Sequence, residues 1–370
     1  MIEIQSACGR PASAGCAPRR RRGATSGPTV KTTMSENGTD PFFSIIIPTR
    51  NRPVWFRRAL DSVLAQDCAA KEVIAVVDGS DEEYLQRYRE LEASLPAVQF
   101  QYLPHRPAGH GQSYSMNVGA ALARGQYLCF LDDDDEWTDA TYLSAARTNI
   151  EAGGGGAQMH FSNQKAYYAD DEPQTQPVWL EDLVELVTPE QAVATDCYRV
   201  DAALLLRSGG FAHLNCSIFR REFYAAINGM DESIRYENDR DVYIRAIDAA
   251  DNILYNRRVV SRHNIPDVNK KDNMSTVGSD LDKKLYQMRV YDKGISHCRQ
   301  RCVLDYCRRG KTYELKHMAT ILAGRGHYAA ATYYAREALL VNFNLRWLGY
   351  TLFLGMKSLM QRHAPGSSAS

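Results

Sequence analysis

The stretch from Leu128 to Trp137, LCFLDDDDEW, constrains the fold of this chain more than any other. An apolar run from Tyr127 to Leu131 stops on four consecutive aspartates. A short, unbroken apolar run bounded by polar residues fits a strand buried on both faces of a parallel sheet. In open α/β sheets, ligands bind beyond the carboxyl ends of the strands. Four carboxylates gathered there repel one another unless positive charge sits among them. Oxygen-only donors suit a hard divalent cation, Mn²⁺ or Mg²⁺. A bare acidic run is more often a solvated turn; the buried strand directly before this one favours a metal site.

The flanking sequence predicts the sheet that such a strand needs. Phe42 to Ile47 reads as a strand ending at Pro48, followed by Thr49-Arg50-Asn51-Arg52. Pro53 suits the first turn of a helix, in which Phe56, Ala59, Leu60, Val63 and Leu64 recur at helical spacing. Lys71 to Val77 predicts a second strand ending at Asp78-Gly79-Ser80-Asp81, Glu82 to Leu95 a helix, and Val98 to Leu103 a third strand. This β-α-β-α-β order is the signature of a right-handed, mostly parallel sheet. The loop Pro104 to Gln112 holds Gly109-His110-Gly111, but Tyr114 stands where a dinucleotide fingerprint needs its third glycine. Helices are expected over Ser113 to Arg124, Asp139 to Ala152 and Glu237 to Ala250, the last opening with acidic residues at its positive end. Further strands are expected over Gln158 to Tyr168, Leu214 to Phe219 and Val259 to His263.

Composition excludes some classes. Lys+Arg and Asp+Glu both number 44, so no net field points to nucleic acid. The nine cysteines are scattered without a CxxC pair, which suits a reducing cytoplasm. The most apolar segment, Leu345 to Leu354, contains Arg346 and is far short of the ~20 residues that span a bilayer. Residues 1–40 are expected as a disordered tail without a secretory signal, with Met34 an alternative start. Residues 41–265 are then the catalytic domain, 266–280 a linker and 281–370 a helical C-terminal extension. Within the extension, Ala329 to Leu340 resembles one helix of a tetratricopeptide unit, without the repeats of an array. Leu345 to Leu359 carries Trp347, Tyr350, Phe353 and Met356 beside Arg346, Lys357 and Arg362. Such a helix either lies on an anionic membrane surface, making the protein peripheral on the inner face of the cytoplasmic membrane, or packs on the catalytic domain.

Five motifs stand at expected strand ends in one order: Pro48 to Arg52, Asp78-Gly79-Ser80, Asn117-x-Gly119, Asp132 to Asp135, and Glu237-Asn238-Asp239-Arg240-Asp241, with His263 after them. In this ordered set the sequence resembles the inverting family 2 glycosyltransferases of the GT-A fold, over about Pro41 to Asp267. The fold class expected is therefore α/β of GT-A type with an α-helical extension. The resemblance implies a nucleoside-diphosphate sugar donor, a UDP-sugar by preference, and a glycan, polysaccharide or lipid-linked acceptor. It implies that Asp132 and Asp134 hold the metal with His263, and that Asp239 is the general base. Pro48, Thr49, Arg50, Asn51, Asp78, Gly79, Asn117, Asp132 and Asp133 are expected on the nucleotide-sugar side, and Glu237, Asn238 and Arg245 on the acceptor side. Met116 replaces the arginine that many relatives carry before this asparagine, so Arg106 or His110 is expected to face the diphosphate. Two alternatives stand beside this reading. A sugar nucleotidyltransferase would need a glycine-rich basic loop where Pro48 to Arg52 lies, and a non-catalytic glycan- or nucleotide-binding scaffold would not need its acidic motifs intact.

Overall fold

The structure is a computed structural model that describes residues 40–176, 178–265 and 279–363. The expectations for residues 1–39 and 266–278 lie outside them.

In chain order the elements before the extension are β1 (Phe43–Thr49), α1 (Pro53–Leu64), β2 (Lys71–Val77), α2 (Glu82–Ser94), β3 (Val98–Tyr102), α3 (Gln112–Leu122), β4 (Tyr127–Phe130), β5 (Glu136–Trp137), α4 (Tyr142–Ala152) and β6 (Met159–Tyr167). They continue with β7 (Ala192–Ala194), β8 (Cys197–Val200), α5 (Ala202–Leu205), β9 (Ser217–Arg220), α6 (Arg221–Ala226), α7 (Asn238–Ala249) and β10 (Ile253–Asn264). The sheet runs β3-β2-β1-β4-β9-β6-β10-β8-β7, with β5 paired to β10. Its first half is parallel: β1 pairs β2 from Phe43 opposite Lys71, and β4 from Phe43 opposite Tyr127. The turn to antiparallel pairing comes at β9, which lies between β4 and β6.

Alternation along β1 explains the layering. Ile45 and Ile47 point into one apolar layer with Phe56, Leu60 and Val63 of α1 and Leu143 and Ile150 of α4. Ile46 points into the opposite layer with Met116 of α3 and Ile244 and Ile247 of α7. A strand covered on both faces has no wet side, which is why β1 and β4 read as continuous apolar runs. The parallel strands β1, β2 and β4 therefore end together, and the acidic residues that follow β4 sit above the sheet edge.

Among the described residues four helices follow, Asp280–His297, Arg301–Gly324, Tyr328–Val341 and Leu345–His363. Ser279 opens the first with a reciprocal capping box to Asp282. Val290, Tyr291, Val303 and Cys307 join the same apolar layer as α7, so the first two helices cover it. All four helices contribute to a separate core around Met288, Leu315, Met318, Ala335 and Leu354.

Candidate active site

The aspartates after β4 form a closed turn, in which Asp135 N–H donates to the Asp132 carbonyl at 3.2 Å. Each carboxylate then meets a different partner. Asp133 accepts from Thr49 Oγ1 at 2.7 Å, and Thr49 accepts in turn from the Tyr88 hydroxyl at 2.8 Å. Arg52 reaches Asp134 at 2.7 Å and Asp133 at 3.5 Å. Asp135 is the most heavily bonded: its carboxylate accepts from Asn215 Nδ2 at 2.5 Å, His263 Nδ1 at 2.8 Å and Asn264 N–H at 2.8 Å. Asp132 accepts from Gln112 Nε2 at 2.5 Å, while its own N–H donates to Asn215 Oδ1 at 3.0 Å.

The charges are unequally compensated. Burial raises Asp132 well above the usual carboxylate range, and Asp135, Asp134 and Asp133 add to the rise against the weaker pull of His263. Burial lifts Asp133 to about 7 despite Arg52. Burial and Asp135 raise Asp134, although Arg52 and His263 oppose them. For Asp135 burial pulls upward too, but the His263 charge and hydrogen bond outweigh it and hold the carboxyl below its ordinary value. His263 is the mirror image: burial lowers it, Asp135 overrides, and it rises to about 9. Asp132 is thus left short of positive charge.

A divalent cation fits that deficit. Among the described residues, the group of three acid or histidine side chains whose ligand atoms all lie within 4.8 Å of one another is Asp132, Asp135 and His213. Asp134 is instead paired to Arg52, and His263 is counter-ion to Asp135, so the structure does not gather the expected set of Asp132, Asp134 and His263. His213 is buried and lies edge-on to Trp179, with ring centroids 4.7 Å apart. Burial, then His263, lowers it to about 3, so the ring is neutral. Its Nδ1 accepts from Asn215 N–H at 3.3 Å, which leaves the proton on Nε2. That nitrogen lies 3.8 Å from both Asp132 Oδ2 and Asp239 Oδ2. Ligation through Nε2 therefore exchanges the long Asn215 bond for the metal.

Asp239 stands in the first turn of α7. Its Oδ1 accepts from Arg240 N–H at 2.8 Å. Burial, with Glu237 behind it, pushes its carboxyl up to about 6. Glu237 caps α7 in a left-handed conformation, φ 63°, which is rare for a residue with a side chain. Its carboxylate is held by Arg240 Nε at 2.5 Å and by Gln287 of the first C-terminal helix at 3.0 Å. Asn238 donates to Gln112 Oε1 at 3.2 Å and Ser113 Oγ at 3.1 Å, tying α7 to the start of α3. Arg245 spends its donors on Asp241, the Ile227 carbonyl and the Gly229 carbonyl.

On the other flank, Asp78 at the end of β2 accepts from His110 N–H at 2.7 Å and Gly111 N–H at 2.9 Å. The loop after β3 is thereby drawn against Arg50. Gly109 must be glycine there, because a Cβ would come within 2.7 Å of Asp78 Oδ2 and 2.8 Å of Arg50 Cδ. At Gly79, φ 58°, a Cβ would likewise come within 2.8 Å of the Pro104 carbonyl. Arg50 donates Nη2 to the Pro107 carbonyl at 2.7 Å, while its buried Nε has no partner among the described residues. Pro48 lies within β1 opposite Val76. Asn51 Nδ2 donates to Asp81 Oδ2 at 2.7 Å, and its Oδ1 accepts from Asp81 N–H at 2.9 Å. Asn117 is not free for a donor: its carboxamide bonds Met230 O, Glu232 Oε1, Met230 N–H and the Tyr224 hydroxyl, filling all four places.

Sequence reasoning missed Gln112, His213 and Asn215. Gln112 links Asp132 to Asn238, and Asn215 bridges Asp132 and Asp135. His213 and Asn215 precede β9 in a single 3₁₀ turn, where no local pattern marks them.

Residues 44–224 match the family profile described as glycosyl transferase family 2. A PGL/p-HBAD biosynthesis glycosyltransferase of Mycobacterium bovis is 36% identical over 104 residues, 28% of this chain and 40% of the relative. The chain thus spans less than half the length of that curated relative. Among solved structures, S. aureus TarS 1-349 in complex with UDP-GlcNAc is similar with a TM-score of 0.58 at 14% identity, covering 86% of this chain and 88% of that one. The mannosyltransferase PcManGT of Pyrobaculum calidifontis, in complex with GDP-Man and Mn²⁺, gives a TM-score of 0.51 at 14% identity, covering 87% of each chain. At such identities the likeness is one of fold, and the fold is of GT-A type.

Proposed function

We propose that this chain, which belongs to glycosyl transferase family 2 through residues 44–224, is a metal-dependent inverting glycosyltransferase. It moves a sugar from a nucleoside-diphosphate donor, UDP-linked by preference, to a hydroxyl of a glycan, polysaccharide or lipid-linked acceptor. The observation that carries this reading is the shared imidazole of His213. It lies 3.8 Å from the metal-side carboxylate Asp132 and 3.8 Å from Asp239 at the head of α7. One short span therefore separates a donor-holding acid from a partly buried acid suited to proton abstraction.

Mn²⁺ or Mg²⁺ held by Asp132, Asp135 and His213 would offset the charge that grows on the diphosphate leaving group. Asp239 takes the proton of the acceptor hydroxyl as that oxygen bonds the anomeric carbon. The bond from this carbon to the diphosphate oxygen breaks with its electron pair leaving on the diphosphate, and one displacement inverts the configuration. Arg50, whose buried Nε lacks a partner among the described residues, is a cation available to the nucleotide side. The bonds from Asp78 to His110 and Gly111 set the loop that would close over the base, and Thr49 sets Asp133.

A panel of sugar nucleotides with Mn²⁺ tests this. Thermal stabilisation by one nucleotide class, metal-dependent release of nucleoside diphosphate and an inverted product linkage by NMR are expected. Transfer that continues in excess chelator, or retained configuration, would overturn it.

A further inference from the structure

The last helix, Leu345–His363, has two apolar faces. Leu354 and Thr351 are buried, and Trp347 donates its indole N–H to the Ala335 carbonyl at 3.0 Å, so this side packs on the preceding helix. Trp347 and Tyr350 belong to that packed side. The opposite side is also apolar but uncovered: Leu345 is 76% exposed, Leu352 62%, Phe353 44%, Met356 59%, Leu359 57% and Met360 67%. At about 100° per residue these six fall within an arc of about 120°. Arg346 and Lys357 lie along one edge of that arc, and the Lys357 ammonium sits 5.8 Å from the Phe353 ring centroid.

An ordinary surface helix packs its apolar stripe and leaves charges outward. Here the outward face is the stripe. What covers it is indicated by charge. After Glu337 the sequence contains no Asp or Glu through Ser370, whereas Arg346, Lys357 and Arg362 are cationic. A second copy docking on this face would bring no carboxylate of this helix to meet those cations. An anionic lipid surface supplies both an apolar interior for the six side chains and phosphates for the basic edge.

We propose that the exposed face of Leu345–His363 docks the protein in the plane of an anionic membrane surface. No described helix is long and apolar enough to cross a membrane. The docking is peripheral and independent of the transfer chemistry, because none of these residues belongs to the candidate active site.

Vesicle flotation of the full chain tests it, using phosphatidylcholine alone and phosphatidylcholine mixed with phosphatidylglycerol. The wild type should float with the anionic vesicles only, and less as salt rises. Leu352→Glu with Met356→Glu should cut that partition by at least about tenfold. Arg346→Gln with Lys357→Gln should remove the preference for phosphatidylglycerol. Both sites are exposed, so circular dichroism should be unchanged, and metal-dependent donor hydrolysis in solution should match wild type. Three results would overturn the proposal. They are absent binding of folded wild type, equal binding by the double glutamate variant, or a wild-type dimer on gel filtration that this variant splits while vesicles are ignored. Loss of hydrolysis in every form would instead count against the transferase reading alone.

Discussion

Asp239 carries two opposed expectations that one substitution separates. Its carboxyl is partly buried beside Glu237, and desolvation with that neighbouring charge raises it to about 6 against an ordinary 3.8. Between those values the folded chain binds a proton that the unfolded chain has released. Stability therefore falls as pH rises through that window, and the loss is complete above about 6. A difference of about two units corresponds to roughly 3 kcal/mol. Asp239→Asn keeps the shape and cannot ionise, so at pH 8 it should stabilise the metal-free protein by on the order of 2–3 kcal/mol, a few degrees in Tm. The gain should shrink as pH falls toward 4. The same change removes the proposed base, and turnover should drop by roughly 10²–10⁴. Wild-type kcat/KM should rise with pH to about 6 and then level. Glu237→Gln removes the neighbouring charge, so it should move that limb to lower pH at a much smaller cost in rate. Calorimetry at several pH values, with initial rates of nucleoside diphosphate release, reads both arms. Turnover of Asp239→Asn within about tenfold of wild type, a larger loss from Glu237→Gln, or an unchanged Tm at pH 8 would refute the assignment.

Three further substitutions divide the site. Asp132→Asn should abolish the Mn²⁺-dependent thermal shift, whereas Asp134→Asn, which loses only its pairing with Arg52, should keep most of it; equal loss from both would return Asp134 to the metal. Asn117→Ala removes four hydrogen bonds to the turn from Tyr224 to Glu232, so urea midpoints should fall by the equivalent of roughly 2–4 kcal/mol with donor KM unchanged. His263, raised from 6.5 to about 9 by Asp135, contributes stability that is complete below 6.5 and lost as pH rises through 9. His263→Gln should flatten that alkaline limb in urea titrations of the metal-free protein.

The parallel half of the sheet was legible because β1, β2 and β4 are covered on both faces, so burial writes itself into the sequence as unbroken apolar runs. The later strands were less so. β10 runs from Ile253, not from Val259, because register shifts between Tyr255 and Ser261 interrupt its pairing with β6 and place Arg257 and Arg258 in mid-strand. β7 and β8 are three and four residues long at the sheet edge, too short for a period to show. Leu214 to Cys216 carries apolar residues like a strand, yet forms the 3₁₀ turn that delivers His213 and Asn215.

The acidic run shows where local pattern stops being informative. In a strand, side chains alternate with period two, which would set Asp132 beside Asp134. Beyond Phe130 the chain is no longer strand: the Asp135 N–H closes on the Asp132 carbonyl, and a turn of that span returns the fourth residue toward the first. Asp132 and Asp135 are thus brought together, and Asp134 swings out to Arg52. What holds the turn is Asn215, which accepts from Asp132 N–H and donates to Asp135 Oδ2. The Asn215 carboxamide presents an acceptor and a donor on two separate atoms, one for each end of the turn; an aspartate at 215 would set a fifth carboxylate against Asp135. That requirement is imposed by a residue far along the chain, so the register of four identical aspartates is decided by tertiary contact and not by the run itself.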